Sequence, residues 1–190
     1  LVGEAESGQV TSVVRFAPGA NFHGHDHPEG EEILVLDGVF SDERGDWQEG
    51  SYLLNPEGFR HAPASGPGCT LFVKLRQYPG PGRVQVALDT WSMDWEAVTE
   101  GVTCKRLYAQ RSFLDSTRLE RWTAGGSLGG RQYPGGVEFF VLDGVFADAQ
   151  GVYDKGTWLR LPEGAAHVPR TEEGCIVYIK EGGFAYLREG

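Results

Sequence analysis

Four side chains able to ligate a metal fall in two short blocks. Gly19 is followed after five residues by His25, then by His27 and Glu31, and six residues later by Gly38; downstream come Gly50, Pro56, Gly58 and His61. Imidazole nitrogens and carboxylate oxygens bind transition ions at ~2.0–2.2 Å, so a frame offering three imidazoles and a carboxylate must be rigid. Residues two apart in a strand share a face, which lets His25 and His27 reach one ion together. Pro56 and Gly58 supply the tight turn that returns His61 to them. The donor set suits one divalent transition metal, zinc or iron first, nickel or manganese next. It argues against calcium, which takes oxygen ligands only.

The elements that must position these donors repeat. A gapless shift of 106 lays Thr11–Arg76 on Thr117–Gly182 with about 25 of 66 positions identical, including Val35–Phe40 on Val141–Phe146. The repeat predicts two domains, 1–88 and 89–190. Apolar runs Val10–Phe16, Glu32–Leu36, Gly50–Leu54 and Thr70–Arg76, punctuated by Gly, Pro, Asp and Asn, read as short strands, so both halves are expected to be all-β barrels or sandwiches. Asp37–Gly38 and Asp143–Gly144 read as tight turns, and Trp91–Val98 as the one short helix. Leu1 aligns with Leu107 inside a strand-like run, which predicts that further residues precede Leu1 in the full-length protein.

The second copy has lost most of the donors. His25, His27 and Glu31 are replaced by Arg131, Tyr133 and Val137, whereas His61 persists as His167 and Glu32 as Glu138. Composition does not choose between the neighbours Glu31 and Glu32; the repeat does, because Glu31 disappears together with the histidines. The degenerate site comprises Arg131, Tyr133, Glu138 and His167. His167 reads as an interior histidine, and Arg131 as either a stand-in for the absent cation or a surface arginine. His23, Phe40, Tyr52 and Phe59 are candidates for the pocket around the ion, with core packing the default for Phe22, Phe40, Trp47, Tyr52, Phe59 and Phe72 and a solvated rim the default for His23.

The two blocks resemble the two cupin motifs, and the chain resembles a bicupin, that is, two tandem double-stranded β-helix (jelly-roll) barrels. Within that superfamily, His25-x-His27-Pro-x-Gly-Glu31-Glu32-Ile-Leu-Val-Leu-x-Gly38-Val-Phe-Ser-Asp-Glu and Asn55-Pro-x-Gly58-x-x-His61 are most similar to the ChrR-like cupin family. The resemblance covers nearly all of the first domain and, more weakly, the second. It implies His25, His27, Glu31 and His61 as ligands and a regulatory or oxidative-stress-sensing role. It also brings in a sigma factor as partner, by family alone: the His-x3-Cys-x2-Cys zinc site that holds the sigma factor in ChrR-type anti-sigma factors does not occur in these residues. The alternative is a mononuclear dioxygenase cleaving a small dicarbonyl or aromatic substrate; a third reading is a scaffold in which metal only cross-links strands. One departure from the cupin pattern is Ser65, where the second motif usually has asparagine.

Composition narrows the rest. The net charge of -10 over 190 residues, with no Lys/Arg cluster, argues against nucleic acid as a partner. No apolar run reaches the roughly 20 residues of a membrane span, and the start resembles no signal peptide, so a cytoplasmic protein is expected, with homo-oligomers through exposed sheets. Three cysteines without C-x-x-C spacing suggest neither a disulfide framework nor a cysteine zinc site. Cys69 and Cys175 read as small buried hydrophobes.

Overall fold

The structure, a computed structural model, describes residues 2–3 and 8–187. Leu1, which carries the expectation of preceding residues, lies outside them. Among the described residues there is no α-helix, only a short 3-10 turn at Gly183–Tyr186, and no helix long and apolar enough to cross a membrane. The chain divides into two compact units, Leu1–Ser92 with Tyr186–Gly190, and Met93–Ala185.

In the first unit the strands are β1 (Val2–Gly3), β2 (Val10–Phe16), β3 (Ala20–Asn21), β4 (His25–His27), β5 (Glu31–Asp42), β6 (Gly45–Gln48), β7 (Ser51–Asn55), β8 (Phe59–His61), β9 (Ala64–Ser65), β10 (Cys69–Leu75) and β11 (Val86–Asp89). The main sheet runs β1-β2-β10-β5-β7-β11, antiparallel at every step. The far half of β5 leaves this sheet to pair with β6 and β9, and β4 pairs separately with β8.

The second unit holds β12 (Glu96–Thr99), β13 (Val102–Ala109), β14 (Ser116–Trp122), β15 (Arg131–Tyr133), β16 (Val137–Ala147), β17 (Val152–Asp154), β18 (Trp158–Leu161), β19 (Ala165–His167) and β20 (Cys175–Glu181). Its sheet order is β12-β13-β14-β20-β16-β17, with β15 paired to β19 as β4 is to β8.

Alternation along β5, β7 and β10 sends Ile33, Val35, Leu53, Cys69, Leu71 and Val73 to one side, where they meet Phe40 in an apolar core. The second unit builds the corresponding core with larger groups, among them Trp122, Tyr133, Phe139 and Phe146. Cys69 and Cys175 are buried in these cores, and burial pushes both thiols up, Cys175 to about 11, as for inert structural cysteines.

Two local expectations are corrected. Asp37–Gly38 and Asp143–Gly144 are not turns: they lie inside the long strands β5 and β16, where the register slips by one residue against β10 and β20. The bulge brings these glycines against the facing backbone. A Cβ on Gly38 would sit 2.2 Å from the carbonyl oxygen of Gly68, and one on Gly144 2.2 Å from that of Gly174, at φ of 77° and 70°. Trp91–Val98 is not a helix either. Its first part is a turn whose Trp91 N–H reaches the Asp89 carboxylate, and its last part joins β12, where ladder hydrogen bonds to β13 override any local preference.

Candidate metal centre

The β4–β8 ladder does most of the positioning. His25 faces His61 and His27 faces Phe59 across it, so all three imidazoles emerge on one face, while Asp26 and Arg60 leave on the other. One end of the ladder, where His27 faces Phe59, is closed through one carbonyl. The His27 oxygen accepts from Gly30 N at 3.1 Å and from Gly58 N at 2.9 Å, and the expected Pro56–Gly58 turn is fastened by Phe59 N to Pro56 O at 3.1 Å.

One ligand atom from each of His25, His27 and His61 lies within 4.8 Å of the others. His27 Nε2 and His61 Nε2 are 2.9 Å apart, and Glu31 Oε2 is 3.7 and 3.5 Å from them. Two donors each ~2.0–2.1 Å from one ion stand about 2.9–3.4 Å apart for angles between square and tetrahedral, so the His27–His61 spacing fits a shared cation and the carboxylate stands slightly wide of it. The His23 carbonyl, which can only accept, takes a hydrogen bond from His25 Nδ1 at 3.0 Å and leaves His25 Nε2 as the free lone pair. His25 is exposed, whereas His27, Glu31 and His61 are buried.

Electrostatics favour a ligating state for the imidazoles. Burial, reinforced by the neighbouring His61 and His25, pushes His27 down to about 4, and burial also lowers His61 despite the opposing Asp42 carboxylate. Both are therefore neutral near pH 7. Burial raises Glu31 to about 7, against a 3.1 Å hydrogen bond from Asn55 Nδ2. A carboxylate held so reluctantly in its charged form is one that a cation would stabilise.

Other predicted residues are placed as follows. Glu32, one residue on from Glu31, faces the opposite side and accepts from the Tyr78 hydroxyl. Phe40 and Phe59 flank His61, at ring distances of 5.9 and 5.4 Å. His23 contributes its backbone carbonyl, and its side chain is not among the clustered donors. Tyr52 alternates with Leu53, and Phe72 with Leu71 and Val73, so neither faces the histidines; Tyr52 is corrected from a pocket candidate to packing on the other side of the sheet, and Phe72 is buried there as the core residue expected. Ser65 hydrogen-bonds the Val39 carbonyl at 2.6 Å and braces the β5 bulge.

In the second unit Arg131 faces His167 and Tyr133 faces Ala165. The Tyr133 ring packs on Phe139 and His167, and Val137 is fully buried. Arg131 points toward buried Glu120 at 3.7 Å. His167 Nε2 meets Asp148 at 2.9 Å. Glu138, like Glu32, lies on the opposite face, against Trp158 and Arg160, away from the other three residues.

Three residues of the first unit went unnoticed in the sequence. Asp42, with a fully buried side chain, holds its Oδ2 3.5 Å from His61 Nδ1. Burial raises its carboxyl, but hydrogen bonds from Arg44 and Trp47 outweigh that and hold it below the usual range. Arg44 and Asn55 complete the group. The available signal was the repeat: Arg44 aligns with Gln150 and Asn55 with Leu161, so both change where the histidines change.

An all-β architecture with a histidine cluster on a short ladder is that of the cupins. The chain overlays a protein of Nostoc punctiforme PCC 73102 described as "a putative dioxygenase", with a TM-score of 0.79 at 18% identity over 93% of this chain and 70% of that one. It overlays a cupin 2 conserved barrel domain protein from Leptotrichia buccalis at 0.64 and 14% identity, covering 91% and 83%. Salicylate 1,2-dioxygenase from Pseudaminobacter salicylatoxidans gives 0.70 and 13% identity, covering 93% and 71%. These likenesses establish the fold alone. No curated protein matches the sequence. The family model of the ChrR cupin-like domain matches residues 1–79 and 83–185, and the chain belongs to that family.

Proposed function

We propose that this chain is a bicupin, two barrels in tandem, whose first barrel binds one divalent transition metal through His25, His27, Glu31 and His61 and whose second is a degenerate, structural copy. The observation that carries this reading is the convergence of three imidazoles within 4.8 Å beside a buried carboxylate, in the one place where the repeat puts Arg131, Tyr133 and Val137 instead. Zinc or iron suits the donors best.

The bound ion would supply Lewis acidity and exchangeable coordination positions. The protein would supply the rest. His23 fixes the tautomer of His25, Phe40 and Phe59 give His61 an apolar surround, and exposed His25 marks the side on which a small organic ligand could approach. A regulatory or sensing protein that reports the state of this site is the reading family membership supports, and a sigma factor as partner rests on the family name alone. A second reading, a dioxygenase acting on a small dicarbonyl or aromatic compound, is favoured by the open His25 side and by the descriptions of two of the structural relatives.

Elemental analysis of protein made in its native host tests the site: one ion per chain is expected, and none would sink the proposal. Oxygen uptake by the anaerobically reconstituted iron form, offered dicarbonyl and aromatic substrates, decides between the two roles. Consumption supports the enzyme; its absence, together with a ligand-dependent shift in unfolding temperature, supports the sensor.

A further inference from the structure

We propose that Arg44 and Asn55 are positioning residues of the metal centre, joining Glu31 to Asp42 beside His61 through one continuous chain of hydrogen bonds. This rests on the reading of His25, His27, Glu31 and His61 as ligands. The chain begins at Asp42, which accepts from Arg44 Nε at 3.0 Å, Arg44 Nη2 at 2.5 Å and Trp47 Nε1 at 3.1 Å. The remaining arm of the guanidinium, Nη1, donates to Asn55 Oδ1 at 3.1 Å. With its oxygen so engaged, the Asn55 amide must turn its NH2 the other way, and there Nδ2 donates to Glu31 Oε2 at 3.1 Å. Asn55 is fully buried, so the orientation of its amide is set by these partners and by Gln85 Nε2, which also donates to Oδ1 at 3.3 Å.

The arrangement fixes which carboxylate oxygen faces the imidazoles. Glu31 Oε2, the atom Asn55 holds, is the one 3.5 Å from His61 Nε2. At the other end Asp42 stands against the far nitrogen of the same imidazole. Outer partners of this kind orient ligands and set their basicity.

The second unit separates what belongs to the fold from what belongs to the cage. Asp42, Trp47 and His61 have counterparts in Asp148, Tyr153 and His167: Tyr153 donates to Asp148 at 2.9 Å, and Asp148 meets His167 at 2.9 Å, through Nε2 where Asp42 faces Nδ1 of His61 at 3.5 Å. That much survives without a metal. Arg44 and Asn55 do not; Gln150 and Leu161 stand in their places, Leu161 opposite Val137. Arg44 also lies 4.6 Å over the Phe59 ring, so a purely structural role is the competing explanation, and the test must distinguish them.

Cobalt(II) serves as the probe, with affinity measured by chelator competition and geometry by the visible absorption of the bound ion. Asn55→Leu and Arg44→Gln, which install the second unit's residues, are expected to lower affinity about 10–100-fold and to change the cobalt spectrum while still saturating at one ion per chain. Arg44→Lys keeps the charge but cannot span Asp42 and Asn55, and is expected to behave like Arg44→Gln. The double variant should lose less than the sum of the singles, since both break the same chain. Wild-type affinity and spectrum in folded Arg44→Gln, whatever its unfolding temperature, would overturn the proposal, as would full rescue by Arg44→Lys. Should Asn55→Leu not fold, the two Arg44 variants, altered at a partly exposed side chain, carry the test. His61→Ala separates the two levels: if it still binds one cobalt ion with unchanged affinity, the ligand assignment itself fails.

Discussion

In the first unit the His27 carbonyl accepts from Gly30 N at 3.1 Å and Gly58 N at 2.9 Å; in the second the Tyr133 carbonyl accepts from Gly136 N at 3.1 Å and Gly164 N at 2.9 Å. At the bulge glycines Gly38 and Gly144 a Cβ would meet the facing backbone at the same 2.2 Å, and Ser65 and Thr171 brace the bulges through matched 2.6 Å hydrogen bonds. Against this shared backbone, the interior of one unit holds imidazoles and a carboxylate, and that of the other holds Tyr133, Phe139 and Phe146 around His167. The comparison teaches that the frame does not need the ion. Apolar filling stabilises the second unit where a cation would satisfy the first, consistent with the general finding that buried charge can be replaced by packed hydrophobes.

The comparison can be broken most directly by exchanging fillings. The double substitution His27→Tyr with Glu31→Val should fold, because the second unit packs those residues in the same frame, and should take metal content from about one ion per chain to near none by elemental analysis. Undiminished content would show that the metal sits elsewhere. The reverse exchange, Arg131→His, Tyr133→His and Val137→Glu, places a carboxylate at a fully buried position. Without metal it should destabilise the second unit by several kcal/mol, on the order of an unpaired buried polar group, with zinc restoring part of the loss in thermal unfolding. No recovery with zinc would mean that the frame with these ligands alone cannot make a site.

Gly38→Ala and Gly144→Ala should be equally harmful, each by roughly 3 kcal/mol, since the added Cβ would sit 2.2 Å from a carbonyl oxygen in both, at positive φ. Unequal losses in chemical denaturation would show that the two bulges are not equivalent.

Next in size is a pH effect confined to the first unit. Glu31, raised to about 7, must shed a proton to bind metal, so affinity should fall about tenfold per pH unit below 7. His27, lowered to about 4, adds to this only below that pH. A flat affinity between pH 5 and about 7 would contradict the assignment of Glu31. For the metal-free protein the two groups act in opposite senses. Glu31, raised from 4.5, contributes stability at low pH that is lost as pH rises to about 7. His27, lowered from 6.5, contributes stability above 6.5 that is lost as pH falls to about 4. Their overlapping windows oppose each other, and His61, also lowered by burial, adds to the His27 sense, so unfolding free energy should rise modestly with pH there. The smallest effect is a matched pair: Ser65→Ala and Thr171→Ala should each cost about 1 kcal/mol in denaturant unfolding, with no difference between units.

The strands, the repeat and the ladder bearing His25 and His27 were legible because two-residue alternation and Gly/Pro punctuation are local signals. Asp37–Gly38 misled because the dipeptide only reports that positive φ is wanted. Whether the chain then turns or bulges is decided by Gly68 and Cys69, about 30 residues away. Tyr52 was a pocket candidate for a related reason: aromatic type gives no face, and only the register of β7 against β5 does. Glu31 was separable from Glu32 by its loss in the repeat. Asp42 gave no such signal, because Asp148 is retained, and Arg44 and Asn55 were recognisable only by the rule that selected Glu31.

The exposure of His25 bears on how the centre trades ions with solvent. Three of the four donors are shielded, so departure should begin by release of this rim imidazole, passing through a state held by His27, Glu31 and His61 alone. Chelators that attack from that flank should accelerate loss in proportion to their concentration. His25→Ala should leave the stoichiometry at saturating metal intact while shortening the residence time of the ion.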